Sequence, residues 1–317
     1  SGSTRLGVFG LDLNPSETND HNNSISGHIK HIEVDGLLPD SLADIFDIQL
    51  KAVIIDEAHL VVDNHQPKSI QTKKPVNSLL NSIRTLALNS TTIQASSLLI
   101  LNEGTDTLLC TQINQLILED LMADSGFLTD PKKISLKDLD WDLDELLYFN
   151  PKQQIELRMQ SSLFNETDGK LDLNTLTVFK RAPQKTEDFD MNIKQLELKG
   201  LYLSQLLQQM PVSISAIITG PEVRINQTNA SRLSANKKPF NLPEYLMLNS
   251  VDVIDGQLNW IKAGLLSVDI NSIQLHTGDM NFKGMSHFDI VRLDSLLLNT
   301  GDLNFDWIKD NTHIHWE

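Results

Sequence analysis

Residues 29–64 read IKHIEVDGLLPDSLADIFDIQLKAVIIDEAHLVVDN, and residues 193–226 read IKQLELKGLYLSQLLQQMPVSISAIITGPEVRIN. Both open Ile-Lys, pass through aliphatic-Glu-aliphatic to Gly-Leu, and continue into a stretch suited to a short helix. Each then has an alternating strand, an interruption (Asp56-Glu57-Ala58 in one, Gly220-Pro221 in the other) and a second aliphatic-x-aliphatic run. A phrase of this length met twice in the same order points to one sheet unit used twice. The correspondence extends outward. Residues 79–93 resemble 246–258, residues 113–118 resemble 270–275, and residues 155–173 resemble 290–305. The division expected is an N-terminal segment at 1–27, a first β unit at 28–189 and a second at 190–317. Ser1-Gly2-Ser3 reads as the remnant of a tag, and a membrane anchor is expected upstream of it in the parent protein.

Period two runs from end to end. Leu139, Trp141 and Leu143 alternate with Asp138, Asp140, Asp142 and Asp144, and Ile155, Leu157 and Met159 alternate with Glu156, Arg158 and Gln160. Such alternation belongs to a sheet with one apolar and one wet face. Asp168-Gly169, Asp255-Gly256 and Gly301-Asp302 fall between such runs and read as hairpin turns. Helical signals are short: Leu42 to Phe46 behind Asp40 or Ser41 as N-cap, Leu203 to Met210 ahead of Pro211, and residues 242–248. The fold class expected is all-β with a few short helices. It would be an elongated, twisted antiparallel sheet built from two related repeats, with an open groove as one possible form. The polar, basic stretches 64–77 and 226–243 sit at the same place in each repeat and read as long exposed loops.

Composition narrows the function. The 317 residues are 40% hydrophobic and 21% charged, enough for a sizeable core. Lys+Arg 26 against Asp+Glu 42 leaves a net charge of −16. Nucleic acid is excluded as a partner on that balance, because its binders need a basic face. The lone Cys110 has no partner for an internal disulfide and reads as a buried structural thiol. The Asp138–Asp144 run lacks the Gly and Glu of a calcium loop and reads as the wet face of a strand. His313, His315 and Glu317 share a terminal face but lack a fourth ligand, so no metal is expected there. His28 and His31 are expected on different faces of their strand. No nucleophile elbow, phosphate loop or zinc-protease motif is present. The expectation is a protein that is not an enzyme and needs no cofactor.

The stretches VDVIDGQLNW (251–260), IEVDGL (32–37), LKAVIIDEAHLVV (50–62) and ISLKDLDWDLDELLYFNP (134–151) resemble the AsmA-like, TamB-like family of repeating β-groove envelope proteins. The resemblance covers roughly residues 29–307 and lies in the order of elements, helix included. It implies a periplasmic protein anchored in the inner membrane, whose apolar trough carries lipid and supports outer-membrane homeostasis. The implied partners are phospholipid or fatty-acyl chains and the membrane itself. From the alternation, the apolar face is assigned to Trp141, Leu143, Ile155, Leu157, Ile193, Leu196, Leu198, Ile214, Ile217, Val253 and Leu258. Positive charge is local to the two loops, at Lys68, Lys73, Lys74, Lys237 and Lys238. With aromatics at 6%, such a face is aliphatic and suits acyl chains better than sugars. Two alternatives give the same alternation: a closed-core interaction or structural module, and a parallel β-helix acting as an adhesin or on polysaccharide. The second requires coils far shorter than the repeat seen here.

Overall fold

A computed structural model describes residues 4–14, 24–37, 47–64, 85–102, 106–124, 133–151, 154–180, 187–227, 246–262, 265–278, 280–282, 290–293, 295–307 and 312–316. These residues are 86% strand and 3% helix, so the all-β class holds. By contacts the chain divides into two compact units. One comprises Ser1–Tyr148, Leu163–Thr167 and Leu203–Met210; the other comprises Phe149–Ser162, Asp168–Tyr202 and Pro211–Glu317.

The first unit holds β1 (Thr4–Leu13), β2 (Ser24–Leu37), β3 (Asp47–Asn64), β4 (Thr85–Asn102), β5 (Asp106–Asp124), β6 (Ile134–Ser135) and most of β7 (Asp138–Asn150). They pair in the order β1-β2-β3-β4-β5-β7, with β6 also against β5. The second unit begins with most of β8 (Ile155–Asn165) and contains β9 (Lys170–Lys180), β10 (Glu187–Lys199), β11 (Val212–Gln227), β12 (Leu246–Lys262) and β13 (Leu266–Thr277). It continues with β14 (Met280–Phe282), β15 (Ile290–Leu293), β16 (Leu296–Asn299), β17 (Leu303–Trp307) and β18 (Thr312–Trp316). Here the order is β8-β9-β10-β11-β12-β13-β17-β18, with β16 against β13 and β14–β15 a separate hairpin. Strands that pair with near neighbours in the sequence read as a solenoid-like stack, which corrects the expected groove built from two repeats.

The expected antiparallel sheet is corrected to a mixed one. β3–β4 and β11–β12 run parallel, whereas β2–β3, β4–β5, β10–β11 and β12–β13 are antiparallel. Parallel neighbours need a connection of about a dozen residues or more. The loop stretches 64–77 and 226–243 fall in those two connections. Apart from their first residues they lie outside the described residues, and all five loop lysines lie there too. The order antiparallel, parallel, antiparallel thus occurs once over β2–β5 and again over β10–β13. The expected match of 155–173 with 290–305 does not carry over, because Ile290–Leu293 pairs with Met280–Phe282 whereas β8 lies beside β9.

One structural device recurs in both units. Within each unit, several neighbouring strands take a residue with positive φ near one level: Gly10, Glu57 and Ala95 in the first unit; Thr175, Gly220, Asp255 and Ser272 in the second. Each device places two successive side chains on the wet face, after which the alternation resumes with opposite parity. In β11 the apolar positions are Ala216 and Ile218 before it, and Pro221, Val223 and Ile225 after it. Where neighbouring strands insert their extra residue together, pairing resumes in register, whereas β12–β13 and β5–β7 shift register at this level. Gln195↔Thr219 is followed by Ile193↔Pro221, and Gln94↔Gln115 by Ser96↔Ile113. The Lys of each Ile-Lys phrase falls on this line. Lys30 pairs with Glu57, and the stem of Lys194 lies against Gly220.

The interruptions seen in the sequence are therefore not turns. Asp56-Glu57-Ala58 and Asp255-Gly256 lie inside the unbroken strands β3 and β12, which corrects the hairpin reading of Asp255-Gly256. Asp168-Gly169 and Gly301-Asp302 do lie between strands. Of the three expected helices, α1 (Leu203–Leu207) forms. It closes with Met210 N–H donating to the Gln205 carbonyl, ahead of Pro211. Leu42 to Phe46 falls outside the described residues. Residues 246–248 are strand instead, because pairing with Val212–Ile214 outweighs weak local helix preference.

Candidate functional site

The apolar face of the second unit can be built row by row. Leu173, Leu196, Ile218, Val253, Leu275 and Leu298 stand opposite one another from β9 to β16. The next row runs Leu171, Leu198, Ala216 and Val251. Beyond the positive-φ line comes the row Leu176, Ile193, Pro221, and then Val178, Met191, Val223, Leu258 and Ile270. Burial differs along the rows, and Ala216 is buried like the floor residues. Leu176 at 7% and Ile193 at 4% exposure form a closed floor along the line. Gly256 belongs to this floor, where a Cβ would meet Val253, Ile273 and Pro221 at 3.1–3.3 Å. Leu171, Leu173, Leu196, Leu198, Ile218 and Val253, by contrast, stay half-buried.

Most assigned residues fall on the apolar faces. Ile155, Leu157, Ile193, Leu196, Leu198, Ile214, Val253 and Leu258 lie on that of the second unit, and Ile214 is buried. Ile217 is placed on the other face. It stands opposite Glu197 and Asp252 and lines a shallow cavity of about 370 Å³ with Ile254, Gln274 and His276. Trp141 and Leu143 belong to the first unit. They face Leu116 and Ile113 of β5, and Trp141 also meets Phe164 with ring centroids 4.4 Å apart.

The wet face is largely self-satisfied. Asp138 accepts from Thr167 Oγ1 at 3.0 Å, Asp140 from Asn165 Nδ2 and the Glu166 amide, and Asp142 and Asp144 from Asn114 Nδ2. This Asp row holds neighbouring chain, and no metal-binding group occurs among the described residues. His28 hydrogen-bonds to Asp12 and His31 stacks on Phe9. They share the wet face after all, because Lys30 and His31 sit at the level where parity changes. His315 Nδ1 meets Asn304 Oδ1 at 2.6 Å, while Glu317 and the His313 side chain lie outside the described residues. Cys110 is half-buried between Leu99 and Leu147 rather than buried. One anchor escapes the alternation reading altogether. Glu166, 4% exposed, accepts from the Leu203 and Ser204 amides and from Ser204 Oγ, holding the start of α1. Only the turn-like run Asn165 to Gly169 marks its place in the sequence.

Lys170 bridges Asp172 at 3.0 Å and Glu197 at 2.9 Å, and Lys199 reaches Glu197 at 2.8 Å. Hydrogen bonds from Lys199 and then Lys170 hold the Glu197 carboxyl below its ordinary 4.5. The hydrogen bond to Glu197 raises the Lys170 ammonium. A lowered carboxyl stabilises the fold above its unfolded pKa and loses that contribution as pH falls through the folded one. A raised ammonium loses its contribution only as pH climbs past the alkaline range. Urea melts of the native protein and Glu197→Gln should therefore differ most at pH 7 and converge below pH 4.5. A difference independent of pH would show that the bridges contribute nothing through charge.

The rows also differ in expected cost. Ile193→Ala should lose about 2–5 kcal/mol, since its floor position is closed. Leu196→Ala should lose roughly half of that, because part of its surface already meets water. Equal losses in urea melts would mean that both rows are sealed.

No protein family, no curated protein and no solved structure matches this chain. What the chain can do must therefore be argued from its own rows: a closed aliphatic floor, half-open aliphatic flanks, and a wet face with its charges mostly paired.

Proposed function

We propose that the apolar face of the second unit binds the acyl chains of lipids, and that the protein is a non-enzymatic envelope protein of the AsmA-like kind. The observation that supports this reading is the half-exposure of Leu171, Leu173, Leu196, Leu198, Ile218 and Val253 beside a closed floor. Aliphatic side chains left open in a continuous row gain by covering one another with apolar ligand, at about 0.8 kcal/mol for each methylene removed from water. On this reading the acyl chain lies along the half-buried aliphatic rows of the second unit. Headgroup selectivity is weak, since a net charge of −16 repels anionic headgroups away from the basic loops. The location that goes with the reading is the periplasm, with an inner-membrane anchor elsewhere in the parent protein.

Native mass spectrometry after incubation with palmitate and with phosphatidylcholine vesicles tests the reading. Bound lipid is expected, and Leu196→Asp should lose most of it while Ile217→Asp, on the opposite face, keeps it. Absence of lipid from the unaltered protein would overturn the reading. A second reading, a solenoid-like scaffold with a closed core, is favoured by the pairing of strands with near neighbours in sequence. The solenoid-like stack is also compatible with the parallel β-helix alternative, and β3–β4 and β11–β12 are parallel ladders among the described residues. Under this second reading no lipid binds and Leu196→Ala costs as much as Ile193→Ala.

A further inference from the structure

On the wet face beyond the positive-φ line, the second unit carries a concavity of about 420 Å³. Phe179, Asp190, Asn192, Glu222 and Arg224 line it. An adjoining hollow of about 440 Å³ shares Glu222 and Arg224 and continues over Gln257 and Asn259. The ladders explain why these groups converge. Asp190 stands directly opposite Phe179 on one side and Arg224 on the other, and Glu222 stands between Asn192 and Gln257. The same face before the line is closed by the Lys170, Asp172, Glu197 and Lys199 bridges. Here, although Arg224 is flanked by two carboxylates, no hydrogen bond or ion pair engages the side chains of Asp190, Glu222 or Arg224 among the described residues.

Unpaired acceptors, a fork of donors, amides that do both, and one aromatic ring make a particular chemical set. A sugar hydroxyl donates and accepts at once, so it can bridge a carboxylate and an amide or guanidinium. The apolar C–H face of a pyranose rests on an aromatic ring such as Phe179. Adjacent strands lie about 4.8 Å apart, close to the length of one pyranose, so successive sugars would meet successive strands. The carboxylates outnumber the one guanidinium, which disfavours phosphorylated or acidic chains. Arg224 in the middle of the site disfavours polyamines. We propose that this hollow binds a neutral oligosaccharide. The site lies on the face opposite the aliphatic rows and does not depend on the lipid reading.

Isothermal titration of the whole protein with cellohexaose, maltohexaose and chitohexaose tests the site, with spermine and a heparin hexasaccharide as the cationic and anionic comparisons. Saturable binding of at least one neutral hexasaccharide is expected. Asp190→Asn and Phe179→Ala should each weaken it by roughly tenfold, the scale of one hydrogen bond to a charged group. Unchanged circular dichroism and thermal melting would show that both variants fold. Should Phe179→Ala fail to fold, the isosteric Asp190→Asn decides alone. No saturable binding of any neutral chain overturns the proposal. So does binding that Asp190→Asn leaves intact, or binding of spermine or heparin in place of the neutral sugars.

Discussion

Replacing Phe164 by alanine should destabilise the protein by about 3–5 kcal/mol, the range for emptying a buried aromatic site. Phe164 is 1% exposed, and with Val212 it is among the most deeply buried side chains described. Its ring meets that of Trp141 at 4.4 Å, tilted by 31°, so the loss combines burial with an aromatic pair worth about 0.5–1.5 kcal/mol beyond its area. The surroundings have little freedom to collapse. Asn165 and Glu166, next in the chain, are tied to Asp140, and Glu166 in turn holds α1. Urea melts followed by tryptophan fluorescence would measure the change. A loss under about 1 kcal/mol would mean that Phe164 is replaceable by neighbouring side chains or water, contrary to its burial.

The second large effect is expected at Gly200, where alanine should cost about 2–4 kcal/mol. Gly200 has φ +78, and a Cβ there would stand 2.2 Å from the Ser213 carbonyl oxygen. That neighbour is backbone in the paired strand, so it cannot swing aside as a side chain would. The strain would pass to Leu201, which is buried and whose amide donates to the Gly169 carbonyl. Gly36 occupies the same place in the first phrase, with φ +85 and a Cβ position 2.6 Å from Lys51 Cβ. Thermal melting of Gly200→Ala tests this, and a midpoint equal to that of the native protein would show that the turn tolerates a side chain. Gly10 makes a useful comparison. It too has positive φ, but nothing lies within 4 Å of its Cβ position, so Gly10→Ala should cost only the backbone term.

These two glycines show why the Gly-Leu of the repeated phrase could be read without coordinates. Both Gly36 and Gly200 take positive φ beside a neighbouring chain, and only glycine takes that backbone there without strain. The Asp row of β7 was equally legible, since Asp138 to Asp144 alternating with Leu139, Trp141 and Leu143 allows one arrangement on a pleated strand. The Asp255-Gly256 pair was not. A hairpin turn and a mid-strand residue of positive φ use the same amino acids, and only the continuous pairing of β11 with β12 separates them. Ile217 was assigned to the wrong set although counting by twos from Ile214 leads to Ala216 and Ile218; two adjacent isoleucines look alike by residue type, and only their partners across the sheet separate their faces. Glu166 escaped because its partners, Leu203 and Ser204, lie far along the chain.

Strand content, the wet and apolar stripes, and the repeated phrase depend on short-range sterics and on side-chain period, and those are written in consecutive residues. The two basic linkers at matching positions even carried the trace of the parallel steps, since a long connection is what such a step requires. Which ladders run parallel, where parity changes, and which aliphatic rows close and which stay half-open are set by partners tens of residues away. Ile193 is sealed by Leu176 and Pro221 while Leu196, three residues on, keeps part of its surface open. Both are aliphatic, and both belong to the same Ile-Lys phrase. Burial is a property of what lies across the sheet, and that is decided by the pairing.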